Sequence, residues 1–318
     1  MYPWHDTFHM GVIHFMAYPE ATTQEKVVET VKNILKDEFF QAIEISALLP
    51  NETLGLIGKM CEVSKMELLL AGQPLILSHK LNLNALDESE RQEALSECQG
   101  TIDKAYAVRS RSVSFLSGPH PEKKETENGK ALLVDSLIEL CRYAEKKSPE
   151  YGYLLGVNLE IFDHDVDKKA LIGPAPDAAD VAGKVKSRCP HFSLIVDLSH
   201  LPLLHEESLY TLSLLAPFIG HIHIGNGVLI ENHPVYGDLH PRFGIPGGAN
   251  DVNELVAFLQ NLFRIHYFSK SVSTERPVIS FEVKPLPGED PDLVVANAKR
   301  TFLAAWNRLF PLVPPVQL

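Results

Sequence analysis

Eight short apolar segments alternate with longer amphipathic segments, and this alternation restricts the fold more than any other feature. The apolar segments span 11–17, 40–46, 67–71 (or its neighbour 74–77), 112–117, 153–160, 192–197, 219–224 and 277–283. Apolar residues with helical spacing occupy 23–37, 130–147, 253–263 and 291–306. Nearly continuous apolar strands that alternate with helices are typical of a parallel sheet covered by helices. Eight such units predict a single (β/α)8 TIM barrel, which we expect to form one domain over residues 1–318.

The main alternative is an open, doubly wound sheet. Such sheets usually carry a glycine-rich phosphate turn, and neither GxGxxG nor GxxxxGK[ST] occurs in the chain. A long polar segment, 225–251, follows the seventh apolar run and contains histidine, arginine and aromatic residues. Long connections in compact domains are usually functional or disordered, and this composition favours a functional loop after strand 7.

Charge and cysteine content exclude several classes of protein. Lys and Arg number 29 against 41 Asp and Glu, a net charge of −12, which disfavours binding to nucleic acid or to an anionic membrane surface. The four cysteines form no CxxC pair, so a disulfide scaffold is not expected and a reducing cytoplasm is the predicted location. We expect no secretory signal and no membrane span, because no long apolar run is present.

Acidic and imidazole side chains recur at the ends of four consecutive predicted strands. Strand 5 ends in Glu160, strand 6 in Asp197, strand 7 contains His221 and His223 on one face, and strand 8 ends in Glu282. The carboxyl ends of barrel strands meet at one mouth, where enzyme active sites of this fold lie. Bare charges at such close quarters would repel one another, and a divalent cation would resolve the conflict.

Two Glu, one Asp and one His form an oxygen-rich ligand set that suits Mn²⁺, with Mg²⁺ or Co²⁺ as alternatives, better than a structural zinc. Each residue also has a purely structural interpretation. A single acid at a strand end often caps a helix or pairs with a cation, and Asp197 could cap the helix that follows it.

These motifs resemble the sugar phosphate isomerase/epimerase superfamily, the xylose isomerase-like TIM barrels. The matching segments are Phe40–Glu44, Leu159-Glu160, Val196–His200, His221-Ile-His223, Asp238-x-His240 with Pro246-Gly-Gly, and Phe281-Glu282. The resemblance implies a metal site whose ligands are Glu160, Asp197, His223 and Glu282. It also implies substrate contacts, for which the candidates are His200, His221, Asp238, His240 and Arg242.

The chain departs from the ketose 3-epimerases of that superfamily. It has Val166 in place of their second glutamate and Leu229 in place of an arginine after the metal histidine. The Glu160-x-x-x-His164 spacing, the long seventh loop and the segment 10–19 look closer to the catalytic subunits of C-glycoside deglycosidases. That resemblance implies a lyase that cleaves a 3-keto-glycoside and binds a small β-sandwich partner.

Both branches begin by removing a proton beside a carbonyl that a metal polarises. His164 is the predicted catalytic base, since imidazole titrates near neutrality. Glu160 and Glu282 are the catalytic alternatives. A C-glycoside lyase is the first expectation, and a free-standing sugar or sugar phosphate isomerase or epimerase is the alternative. A homo-oligomer is the alternative to the small partner subunit. An endonuclease would need a basic face, and a non-enzymatic scaffold or binding subunit would hold no metal.

Overall fold

The computed structural model describes residues 4–309, which form a closed barrel of eight parallel strands. Each strand pairs with its neighbours in chain order, and the first strand pairs with the eighth to close the ring. The TIM barrel predicted from the sequence is therefore confirmed. The strands are β1 His9–Ile13, β2 Ala42–Ser46, β3 Glu67–Ala71, β4 Ser112–Leu116, β5 Gly156–Glu160, β6 Phe192–Asp197, β7 Ile219–Gly225 and β8 Val278–Glu282.

Most strands begin or end one to four residues from the predicted bounds; the first differs most, and the choice left open for the third is decided. The first strand ends at Ile13, because the chain then turns into a short helix and the buried His14 ring contacts Thr30 Oγ1 through Nε2 at 2.8 Å. The third strand is 67–71, and the alternative 74–77 is helical. Pro74 lies in the first turn of that helix, where a missing N–H costs no hydrogen bond.

Helices surround the barrel, and their apolar faces pack on the outer surface of the strands. The four helices predicted from spacing are present; those predicted over 130–147, 253–263 and 291–306 extend further, and the one over 23–37 is shorter. Several others, such as the mostly polar helix Glu88–Ala107, had no clear signal in the sequence. The helices are α1 His14–Ala17, α2 Gln24–Leu35, α3 Asn51–Ser64, α4 Gln73–His79, α5 Glu88–Ala107, α6 Thr126–Tyr151, α7 Ala175–Lys186, α8 His200–Leu203, α9 Ser208–Leu215, α10 Val252–Arg264 and α11 Pro291–Leu309.

The loop after β7, residues 226–251, folds back over the mouth of the barrel. Val228 pairs with Gly237 and with Gly248 through isolated bridges, and Asn226 and Asn250 are buried at the two ends of the loop. The Asn250 backbone N–H donates to Asn226 Oδ1 at 2.8 Å, so the two ends are joined directly. Within the described residues, no helix is long and apolar enough to cross a membrane.

Candidate active site

Charged side chains converge at the carboxyl ends of four strands, inside the mouth of the barrel. Glu44 on β2, Glu160 on β5, His223 on β7 and Glu282 on β8 are all buried. Strand alternation turns these side chains inward, and the parallel register places the strand ends at one level. Four buried titratable groups in a space enclosed by apolar strands would be costly unless they neutralise one another or bind a cation.

His223 is the centre of this group. Its Nδ1 lies 3.1 Å from Glu160 Oε1 and 2.9 Å from Glu282 Oε2. The three ligand atoms of Glu160, His223 and Glu282 lie within 4.8 Å of one another. Two carboxylates thus approach the same ring nitrogen from two different strands.

The other nitrogen of the same ring faces a third carboxylate. His223 Nε2 lies 3.1 Å from Glu44 Oε1 and 3.3 Å from Glu44 Oε2. His221 Nε2 contacts the same Oε1 at 2.9 Å and Ser280 Oγ at 3.3 Å. Glu44 is therefore shared by two imidazole rings of β7.

Glu160 is held on its second oxygen by a glutamine of α4. Gln73 Nε2 donates to Glu160 Oε2 at 2.7 Å, and Ser114 Oγ on β4 donates to Gln73 Oε1 at 2.9 Å. All three side chains are buried. This chain of hydrogen bonds fixes the plane of the carboxylate and leaves Oε1 directed at His223.

Asp197 belongs to a second group beside the first. Its Oδ2 lies 3.6 Å from His200 Nε2 and 3.7 Å from His240 Nδ1. It also accepts hydrogen bonds from the Ser199 backbone N–H, at 2.9 Å, and from the Ser199 hydroxyl. Asp197 thus holds the turn at Ser199 and does not cap α8, which has no side-chain cap, so the helix-cap interpretation is wrong. One of its oxygens remains close enough to two histidines to share a cation.

Asp238 connects the two histidines of this second group. Asp238 Oδ1 lies 3.1 Å from His200 Nε2 and 2.8 Å from His240 Nε2. His240 Nε2 also lies 3.5 Å from Glu282 Oε1, so Glu282 joins the two groups. His200 Nδ1 is bonded to the Ile161 carbonyl at 2.8 Å, which directs its Nε2 at the acids.

Close opposite charges shift several pKa values in the metal-free site. Burial raises the pKa of Glu44, but the charges of His223 and His221 outweigh it and bring the pKa well below its usual range. Burial lowers the pKa of His240, yet the carboxylates of Glu282 and Asp238 raise it to about 9. For Glu282 burial prevails, and its pKa lies above the ordinary value.

The donor set fits a divalent cation. Glu282 Oε2, His200 Nε2 and Asp238 Oδ1 are buried and make no hydrogen bond of acceptable geometry, although each has an oppositely charged atom nearby. Ligand atoms about 2.1 Å from one metal, at right angles, lie roughly 3 Å apart. The separations of 2.9 and 3.1 Å around His223 Nδ1 match that spacing. Two Glu and one His provide the mixed oxygen and nitrogen ligands expected from the sequence.

A cavity of about 190 Å³ opens above this group. Its polar lining includes Glu44, Glu160, His223, Asp238 and Glu282. Lys168 and Lys284 also line it, and Lys168 Nζ lies 3.3 Å from Asp238 Oδ2. Apolar groups complete the lining, among them Phe15, Met16, Leu77, Phe162 and Leu239. A small polar ligand in this cavity would contact carboxylates, imidazole and ammonium groups at once.

Several predicted site residues lie elsewhere. His164 does not line this cavity: its ring packs edge-on against His120, with centroids 4.6 Å apart, and Nδ1 faces the Ala170 carbonyl. Arg242 is engaged by Glu289, with Nε 2.8 Å from Oε1. His221 is buried beside Glu44 and Ser280, also outside the cavity lining.

Sequence reasoning assigned no site role to Glu44, Gln73 or Lys168. Glu44 carried a usable signal, a glutamate inside an apolar strand, which is the same pattern that identified Glu160. Gln73 and Lys168 carried none, because the first is on a helix misread as an alternative strand and the second is on a polar loop.

Residues 37–277 match the family described as xylose isomerase-like TIM barrel. No curated protein matches the chain by sequence.

Several solved structures have the same fold. IolI protein with a bound zinc atom has a TM-score of 0.71 and 16% identity, covering 96% of this chain and 100% of that one. D-psicose 3-epimerase from Clostridium cellulolyticum H10, solved with D-tagatose, has a TM-score of 0.66 and 15% identity, covering 95% and 99%. The apo form of 3-keto-D-glucoside 4-epimerase, YcjR, from E. coli has a TM-score of 0.63 and 16% identity, covering 95% and 100%.

Proposed function

Because the chain belongs to the xylose isomerase-like TIM barrel family, we propose that it is a divalent-metal-dependent enzyme that epimerises or isomerises a keto sugar. The observation that carries this proposal is the convergence of Glu160 and Glu282 on His223 Nδ1 beneath a polar cavity. Three structural neighbours support the same class of enzyme. They are a protein with a bound zinc atom, a ketose 3-epimerase and a keto-glucoside 4-epimerase.

Glu160, His223 and Glu282 would hold the metal, and Asp197 is the fourth proposed ligand. When bound, a divalent cation would supply Lewis-acid polarisation of the substrate carbonyl and so acidify the adjacent C–H. Mn²⁺ is the metal expected from the ligand set, with Mg²⁺ and Co²⁺ as alternatives. To bind the same metal, the Asp197 carboxylate would turn from Ser199 toward His223. His223 is the register partner of Asp197 between β6 and β7.

Proton transfer is assigned to the two glutamates. Glu282 is buried and lines the cavity, so its ionised carboxylate can accept the substrate proton through the oxygen that does not bind the metal. Glu160, on β5, faces the centre from another strand; starting protonated, it can give its proton to the opposite face of the planar carbon, after which both carboxyl groups return to their starting states by proton exchange with water. Gln73 keeps the Glu160 carboxylate oriented between these events. His164 has no part in this scheme because it lies outside the cavity.

Substrate hydroxyl groups would meet Asp238 of the second polar group and Lys168, because His200 and His240 contact Asp238 from outside the cavity lining. Asp238, His200 and His240 form a connected set that can both donate and accept hydrogen bonds. Lys168 lines the cavity beside Asp238 and offers a positive charge to a sugar oxygen.

A second candidate function is carbon–carbon cleavage of a keto-glycoside after the same proton removal. A cleft of about 300 Å³, lined mainly by apolar residues such as Ile76, Leu81 and Leu116, shares Leu77 and Lys168 with the central cavity. Such a cleft suits an apolar group attached to the sugar, which favours this candidate over a scaffold role. A small β-sandwich partner, or a second copy of the chain, belongs to the same proposal and would be found by co-purification.

Solvent exchange tests the proposal. The protein is incubated in D₂O with Mn²⁺ and, in turn, D-fructose, D-tagatose, L-ribulose and a 3-keto-glucoside. Deuterium should enter the carbon beside the carbonyl of at least one substrate, and EDTA should stop the exchange. Incorporation with an epimeric product selects the epimerase, and release of the aglycone selects the lyase. No exchange into any of them, with metal bound, would refute the proposed chemistry.

A further inference from the structure

Glu44, in the polar core of the barrel, is used by none of the proposed metal ligands, proton transfers and substrate contacts. We propose that Glu44 is a positioning residue: it holds His223 through Nε2 and thereby presents Nδ1 to the metal. This inference rests on the metal site of the proposed function, and it assigns the orientation of that site to β2.

The geometry of the His223 ring carries the inference. The ring has only two nitrogens, and each has acidic partners on its own side: Glu44 at Nε2, and Glu160 with Glu282 at Nδ1. Both oxygens of Glu44 lie within 3.3 Å of Nε2, so the carboxylate faces the N–H squarely. With a proton on Nε2 donated to Glu44, the Nδ1 lone pair is free to bind a cation. Metal-binding histidines generally donate their other N–H in this way.

The position of Glu44 has no explanation in the packing of the barrel. It occupies the middle of β2, and its register partners on the adjacent strands are Ile13 and Leu69. Its side chain is 3% exposed, and its ion-pair partners among residues 4–309 are the two β7 histidines. A buried carboxylate costs several kcal/mol unless it is paired, so an apolar side chain would serve the strand better. The acid is therefore explained by what it does to the imidazoles.

His221 fixes Glu44 in turn. His221 Nε2 contacts Oε1 of Glu44 at 2.9 Å, and Ser280 Oγ on β8 approaches the same nitrogen at 3.3 Å. A chain of polar contacts thus leads to the metal site, in the order Ser280, His221, Glu44 and His223. This order gives His221 a supporting role in place of the substrate contact expected from the sequence.

Zinc affinity measures the contribution of Glu44. Zn²⁺ is titrated into the metal-free protein by calorimetry for the wild type, Glu44→Gln and the control Glu67→Gln. Removing such a hydrogen-bonding partner typically weakens metal binding about 10–100-fold, and we expect that loss for Glu44→Gln. Glu67 is a matched control because it too is a glutamate paired with a histidine, with its Oε2 2.8 Å from His9 Nδ1 and its side chain 10% exposed. The pair lies where β1 and β3 begin, at the end of the barrel opposite the metal site. Its replacement should leave the Kd unchanged.

The nitrogen that binds zinc is a second readout, and it needs no variant. ¹⁵N NMR of the histidine rings in the zinc-loaded wild type should show His223 coordinated through Nδ1 and protonated at Nε2. Coordination through Nε2 would overturn the inference even if Glu44→Gln failed to fold. An equal zinc Kd for the wild type and Glu44→Gln would overturn it as well, while leaving the proposed function intact. A wild type that binds no Zn²⁺ or Mn²⁺ would overturn both.

Discussion

Replacement of Glu282 by glutamine should lower the free energy of unfolding only when metal is present. Glu282 Oε2 and Glu160 Oε1 both approach His223 Nδ1, and they lie within 4.8 Å of each other. At an effective dielectric constant of about 20, two like charges at that distance repel by about 3.5 kcal/mol, which their attraction to His223 offsets. Burial nevertheless raises the pKa of Glu282, so its ionised form is disfavoured in the metal-free fold. We therefore expect metal-free Glu282→Gln to be at least as stable as the wild type.

With metal bound, the wild type should be more stable than Glu282→Gln. At a free metal concentration of 100 times its Kd, the wild type gains about 2.7 kcal/mol in the free energy of unfolding. A neutral amide is a poorer ligand, and a hundredfold weaker affinity reduces the gain at the same metal concentration to about 0.4 kcal/mol. Removing Glu282 should thus cost about 2 kcal/mol of metal-dependent stabilisation and none of the stability in EDTA.

Urea denaturation in EDTA and in Mn²⁺ separates the two contributions. The slope of the free energy against urea should be the same for both proteins, so that midpoints can be compared directly. If Mn²⁺ stabilised Glu282→Gln as much as the wild type, Glu282 would not bind the metal. If Glu282→Gln were less stable than the wild type already in EDTA, the carboxylate would stabilise the fold without metal, contrary to this expectation.

Three further outcomes are expected. His164→Ala should retain kcat, because His164 lies beside His120 outside the cavity; loss of turnover with metal still bound would restore it as the catalytic base. Lys168→Met should raise KM for the sugar more than it lowers kcat, and an unchanged KM would remove Lys168 from the substrate site. Burial lowers the pKa of His14 to about 4, so the stability it contributes is present above its unfolded pKa of about 6.5 and is lost as pH falls toward 4. His14→Asn should lose less stability between pH 7 and pH 4, by about 3 kcal/mol, while the same change at the exposed His79 should not alter the pH profile.

The fold could be predicted from the sequence because the strands are buried on both faces and are therefore mostly apolar. Segments such as 192–197 are buried between the barrel interior and a helix, and this requirement gives a nearly continuous apolar run. Strand bounds were predicted wrongly where one apolar run forms parts of two elements. The segment 11–17 supplies both β1 and α1, and apolar content alone does not distinguish the end of a strand from the start of a buried helix.

The site could be predicted only in part, for a different physical reason. Strand order and alternation are enough to bring Glu160, His223 and Glu282 to one mouth, and the structure places them together. Rotamers and loop paths are not encoded in spacing, so the turn of Asp197 toward Ser199 was not predictable from its position alone. The same limit applies to His164, which the sequence places near the mouth and the loop turns toward His120.

The position of Glu282 on β8 means that the cation-binding group is complete only after the eighth strand has been made. The other proposed ligands come from β5, β6 and β7, so a chain that stops before β8 lacks one of them. During synthesis the ribosome releases the eighth strand last, so capture of an ion at this position is a late step that coincides with ring closure. Recruitment of the metal would then report that the chain has reached its native topology, and a fragment ending before residue 278 should bind no ion at this position.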